Sequence, residues 1–83
     1  MREIDFSRLR SVTARELMRA LRRDGFEMER QTGSHQQYYH QDGRRVTVSF
    51  HRSGDTFSIR LLRSMIELQA RWTEADLRRL GLL

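Results

Sequence analysis

The sequence predicts an α+β domain in which three antiparallel strands form a meander flanked by helices, in the order α-β-β-β-α, with a further short helix at the C-terminus. Three observations predict it. A threonine cap with an acidic partner opens an amphipathic stretch at Thr13. Two turn signals, Thr32-Gly33-Ser34 and Asp42-Gly43, bracket a tyrosine-rich strand. A second amphipathic run, from Ser58 to about Ala70, follows the last alternating segment. With 83 residues, the chain buries about 60–65% of the surface that it exposes when unfolded, which gives a single domain, 1–83, with one thin core. Within it we expect an arm at 1–12, a core at 13–70 and a helical tail at 71–83.

Taken in order, the arm offers only Ile4, Phe6 and Leu9 as apolar anchors and carries no clear helix or strand signal. Thr13 is the expected N-cap of the first helix, Glu16 completes its capping box, and Val12 is placed to staple onto Leu17. Ala14, Leu17, Met18 and Leu21 then recur at helical spacing and give one apolar stripe, while Arg15, Arg19, Arg22 and Arg23 lie elsewhere around the helix. Gly25 ends it. From Phe26 to Gln31 apolar and polar residues alternate, which predicts a strand with Phe26 and Met28 on a core.

The register of the next hairpin decides which side chains are exposed, because a shift of one residue moves every side chain to the opposite face. A two-residue Asp42-Gly43 turn would set Tyr39 opposite Val46 and His35 on the core face. A three-residue loop, Gln41-Asp42-Gly43 with glycine at the left-handed bulge position, pairs His40 with Arg44, Tyr38 with Val46 and His35 with Ser49. We prefer the second. It buries Tyr38 with the valines and puts His35, Gln37 and Tyr39 outside with Arg45, Thr47 and Ser49. His51 to Thr56 is a polar loop, and the helix after it has two apolar stripes (Ile59, Leu62, Ile66 and Leu61, Met65, Leu68), wide enough to pack on the sheet and on another element. The chain offers one: Thr73 and Asp76 repeat the capping pattern of Thr13 and Glu16, which predicts a helix from about Glu74 to Leu80, stopped by Gly81.

Composition narrows the chemistry. There is no cysteine, which removes disulfides, thiolate chemistry and cysteine-based zinc sites and makes a cytoplasmic location the simplest expectation. Nothing reads as a membrane span or as the apolar core of a signal peptide. The net charge is +5, and all 16 basic residues are arginine. Guanidinium groups stay charged and present planar forks of donors, so an anionic, phosphate-bearing partner is favoured. Codon usage or thermal adaptation would explain the missing lysine equally well, but the charge survives either explanation.

His35 stands where a turn ends and a strand begins. Taken alone, a histidine there serves a turn or the packing more often than chemistry. Gly33-Ser34 can be a plain hairpin connection, although consecutive turn amides with glycine can also cradle an anion. Arg44 and Arg45 can be solvated turn residues, or phosphate contacts beside His35 if the register above holds. His35, His40 and His51 without cysteine do not make a zinc pattern, so we expect neither metal nor cofactor.

Gly33-Ser34-His35 after Arg30-Gln31, an aromatic at Tyr38, the run from His40 to Val48 and a helix ending at Gly25-Phe26 together resemble the HicA toxins, also called YcfA-like proteins, of type II toxin–antitoxin systems. The resemblance spans roughly Thr13 to Ile66; Gln41 stands where many relatives carry proline. It implies a small double-stranded-RNA-binding-like fold, ribosome-independent cleavage of messenger RNA, and a HicB-type antitoxin as partner, with self-association or a complex with the antitoxin compatible with it. The catalytic histidine of the family falls on His35, and its Gly-Ser-His motif on Gly33, Ser34 and His35. Arg30, Arg44 and Arg45 are then the expected RNA contacts. The chemistry is feasible with few groups. Ribose carries its own nucleophile, and imidazoles titrate near neutrality as a class, so one histidine can act as the base, a role that contributes about 10²–10⁴-fold. A non-catalytic RNA-binding module fits the same charge pattern, and the wide apolar surface of the second helix with the leucine-rich tail permits an adaptor for an acidic protein.

Overall fold

The computed structural model describes residues 3–83. Its elements follow from local chemistry. Helix α1 (Ala14–Arg23) starts with all four of its otherwise unpaired amides satisfied. The Thr13 amide donates to Glu16 Oε1 at 3.0 Å, and the Glu16 amide donates to Thr13 Oγ1 at 3.2 Å. The carbonyls of Asp55 and Ser53, in the loop before the second helix, accept from Ala14 at 2.8 Å and Arg15 at 2.9 Å. At the other end Gly25 donates to Arg22 and Phe26 to Leu21, the paired bonds of a Schellman stop. Ala14, Leu17, Ala20 and Leu21 are buried, while Met18 is only half-buried.

Three strands follow, β1 (Glu27–Thr32), β2 (His35–Tyr39) and β3 (Arg45–Ser49), in an antiparallel sheet of order β1-β2-β3. The observed register pairs His35 with Ser49 and Tyr38 with Val46. His40 and Arg44 close the three-residue loop through a 2.9 Å backbone bond, with Gly43 at φ +98°. Tyr38, Val46 and Val48 are fully buried, whereas His35, Gln37, Arg45 and Thr47 are exposed. The sheet therefore has one covered and one open face. This is the α-β-β-β-α arrangement expected from the sequence.

The expectation for β1 is corrected. Phe26 is buried but precedes the strand, and every residue of β1 is exposed, Met28 at 46%. β1 is an edge strand, and a bulge at Glu29 shifts its register between Met28 and Arg30. The bulge breaks the alternation that would have carried one face onto the core. Its apolar and polar alternation reports strand geometry without burial.

Helix α2 (Ile59–Arg63) is capped by Ser58, and the chain then widens into a π-helical stretch, Ser64–Gln69. The Ala70 amide reaches back to Met65 at 2.8 Å, one residue further than an α-helix would. One consequence sits at the sheet edge: Gln69 Oε1 accepts from the Thr47 amide at 2.8 Å, which satisfies a donor that β3 would otherwise leave open. Leu62, Met65 and Ile66 are buried, but Leu68 is 74% exposed, so the second expected stripe is only partly used. The element beside α2 is the N-terminal 3-10 turn Phe6–Leu9, whose Phe6 and Leu9 both point inward at i, i+3 spacing. Of the expected arm, Met1 and Arg2 lie outside the described residues. Helix α3 (Glu74–Arg79) has the expected Thr73–Asp76 capping box, and Leu82 folds back so that its amide donates to Leu77 at 2.9 Å.

Candidate nucleic-acid interface

The hairpin between β1 and β2 sets the geometry of the open face. Thr32 and His35 pair directly, leaving Gly33 and Ser34 as a two-residue loop. Gly33 takes φ +58° and Ser34 has a negative φ, as in a type II′ turn with glycine at its first central position. The Phe50 amide donates to the Ser34 carbonyl at 3.0 Å, which ties the turn to the end of β3. Neither the Gly33 nor the Ser34 amide donates a hydrogen bond among the described residues. A Cβ added to Gly33 would meet nothing within 4 Å, so the turn is open to a ligand.

His35 follows the turn on the central strand, between Thr32 and Ser49. Its side chain is exposed, and its ring makes no hydrogen bond among the described residues. Two arginines share its face. Arg30 pairs with Gln37 across β1 and β2 and is exposed, with no ion pair among the described residues. Arg45 lies opposite Tyr39, with its guanidinium 4.8 Å over the Tyr39 ring and Nη1 2.6 Å from Glu29 Oε1. Glu29 is the extra residue of the bulge, so the irregularity in β1 also delivers the carboxylate that holds Arg45. An imidazole and two guanidiniums thus share one open face next to a turn with two undonated amides. Arg30 lies opposite Gln37 and Arg45 further along the strand opposite Tyr39, a spread of cations suited to successive phosphates of one strand.

Arg44 does not join them. Its side chain is only 17% exposed and is engaged on the far side of the loop. Nη1 donates to the Ala70 carbonyl at 2.6 Å and lies 3.1 Å from Asp24 Oδ2, Nε lies 2.8 Å from Asp42 Oδ2, and the guanidinium stacks 4.9 Å over Phe26. The expectation that Arg44 contacts phosphate is corrected on this ground: a guanidinium with two carboxylates and a carbonyl is a clamp within the fold. His40 is held as well. Its Nε2 lies 2.8 Å from the Asp24 carbonyl and its Nδ1 3.1 Å from the Asp42 amide, while the ring meets Phe26 edge-on at 5.0 Å. His51 lies beyond β3 and lines a separate depression with Gln31, Gln36 and Phe50.

Sequence reasoning missed Asp24. Its side chain is 7% exposed, and it accepts from Trp72 Nε1 at 2.8 Å and Arg79 Nη2 at 2.6 Å as well as facing Arg44. Burial pushes its carboxyl up, but the Trp72 indole, Arg79 and Arg44 outweigh that and hold it below the ordinary carboxylate range. One signal was available: an acid capping the C-terminus of a helix opposes the helix dipole, so it needs cations from elsewhere. Here α3 and the β2–β3 loop supply them. Among the described residues no group of three or more His, Cys, Asp or Glu could hold a metal ion, and no helix is long and apolar enough to cross a membrane.

Comparison with curated proteins found no match. A family model described as the HicA toxin of bacterial toxin-antitoxin matches residues 14–72, from the first residue of α1 to the indole that anchors Asp24. The match takes in all three strands, the Gly33-Ser34 turn and the open face around His35. The chain therefore belongs to the HicA toxin family of bacterial toxin–antitoxin systems.

Proposed function

We propose that this toxin is an endoribonuclease that cuts messenger RNA without the ribosome, with His35 as its base and no metal. The observation that carries this reading is the exposed imidazole of His35, which makes no hydrogen bond among the described residues, at the end of an open glycine turn and on the face that also presents Arg30 and Arg45. In this reading the RNA lies across the open face with a phosphate at the Gly33 and Ser34 amides. His35 takes the proton of the ribose 2′-hydroxyl, and the 2′-oxygen attacks the adjacent phosphorus. The bond to the 5′-oxygen breaks, and a solvent water protonates that oxygen as it leaves. Arg30 and the turn amides offset the charge that grows on the phosphate oxygens, and Arg45, further along the strand, holds another phosphate of the same RNA. The antitoxin partner is of the HicB type, and the pair acts in the cytoplasm.

The test uses purified protein and a labelled RNA in the absence of ribosomes, beside the same RNA carrying a single 2′-deoxyribose 5′ of the mapped cleavage point. The expected result is cleavage of the ribose form and a loss of at least about 100-fold at the deoxy position, since the nucleophile is gone. Equal cleavage of both, or no cleavage of either, contradicts the reading.

A further inference from the structure

The Gly33-Ser34 turn borders a second feature on the opposite side from His35. It is a depression of about 260 Å³ lined by Gln31, Gln36, Phe50 and His51 together with the turn itself. We infer that this depression is a nucleobase pocket, which receives one unstacked base of the RNA whose phosphate lies on the turn. The inference rests on the reading of the chain as an RNA-cleaving toxin and names how that substrate is held.

The lining suits a base. Small-molecule sites usually run from about 300 to 1,000 Å³, so this one has the size for a single ring system rather than a stacked pair. Gln31 and Gln36 face each other across β1 and β2 on the covered side of the sheet, where burial gives out towards the hairpin: Tyr38 is buried, Gln36 half-buried and Gln31 exposed. The Tyr38 hydroxyl donates to Gln36 Oε1 at 2.8 Å and fixes that amide. Gln36 Nε2 and Gln31 Oε1 are 3.5 Å apart, and Gln31 Nε2 is 3.5 Å from the Gly33 carbonyl, both at the outer limit of hydrogen bonding. The Gln31 amide therefore keeps donors and acceptors for the edge of a base.

Phe50 and His51 line the same depression. The Asp55 carboxylate accepts from the amides of Arg52 and His51, each at 3.0 Å, so the segment carrying His51 is fixed before any ligand arrives. Aromatic rings with adjacent amides are the means by which proteins read single-stranded RNA, whose bases can be splayed and stacked on side chains. The placement also serves the chemistry. A base drawn to one side of the turn, with His35 on the other, bends the strand at the phosphate between them.

The experiment uses full-length His35→Ala protein, which preserves the depression, and a set of short labelled RNAs in which an abasic site is moved through every position. Stacking a base on an aromatic group contributes about 1–3 kcal/mol, so one position should weaken binding by roughly 5- to 150-fold when its base is removed. Adding Gln31→Ala or His51→Ala should produce the same loss with intact RNA and abolish the penalty at that position, while thermal melting stays unchanged. A flat abasic profile, or variants that bind as the parent does, overturns the pocket; if wild-type protein cuts the same RNA, the role of His35 stands without it. A single sensitive position without wild-type cleavage supports the pocket and removes the nuclease. Protein that binds no RNA overturns both.

Discussion

The buried carboxylate of Asp24 and the guanidinium of Arg44 meet at 3.1 Å, joining the end of α1 to the loop between β2 and β3. The same carboxylate takes the Trp72 indole and Arg79, so one acid fastens the C-terminal tail to the sheet. The cluster ties the loop at one end of the sheet to α1 and α3.

Replacing Asp24 with asparagine leaves Arg44 with Asp42 and Arg79 with Asp76 as their remaining anions. Removing one partner of a well-buried pair costs about 3–5 kcal/mol, and the second carboxylate that Arg44 keeps in Asp42 reduces this to about 2–3 kcal/mol. For a domain of this size that is a fall in Tm on the order of 10 °C, read by thermal melting. The effect depends on pH in a definite direction. The folded-state pKa of Asp24 is depressed, so its contribution is present above the ordinary carboxylate value and is lost as pH falls through the folded value. The gap in Tm between wild type and Asp24→Asn should therefore shrink as pH is lowered below about 4.

The arginines separate into two kinds. Arg44→Ala should lower Tm, with RNA affinity reduced only as far as the fold loosens. Arg30→Ala and Arg45→Ala should leave Tm nearly unchanged and weaken RNA binding. Each should also flatten the slope of log affinity against log salt by about 0.7, the loss of one phosphate contact on a single strand. Binding titrations at several salt concentrations, beside melts of the same variants, check this.

Gly33 and Gly43 make a matched pair of turn substitutions. Both have positive φ, and an added Cβ at either meets nothing within 4 Å. Alanine at either position should cost about 1–2 kcal/mol through backbone strain alone. Only Gly33→Ala disturbs the turn that presents His35, so it should lose at least about tenfold more cleavage than Gly43→Ala at equal loss of stability. Initial cleavage rates normalised to the folded fraction decide it.

Local chemistry made most of this fold legible. The two threonine caps, the order of the strands and the three-residue loop that exposes His35 all follow from short-range patterns, and the structure has them where the sequence puts them. Long-range partnership was not legible. Arg44 and Arg45 are neighbours with the same side chain, but alternation sends one towards Asp24 and the other over Tyr39. Nothing local marks which of them meets a buried acid 20 residues away in sequence. The exposure of β1 has a similar origin. A bulge and an edge position override an alternating pattern that would suit a half-buried strand equally well. The π-helical turn, which delivers Gln69 to the edge of β3, has no sequence signature in the spacing of its apolar residues.

The most direct measurement is the cleavage of labelled, ribosome-free RNA by His35→Ala protein, with binding to the same RNA followed in parallel. His35 is exposed and bonds to no other side chain among the described residues, so the variant should fold and melt as the wild type does. The account predicts RNA affinity within about threefold of wild type and cleavage reduced by about 10²-fold or more, the contribution of a positioned base. Cleavage at the wild-type rate by a folded His35→Ala protein would contradict it.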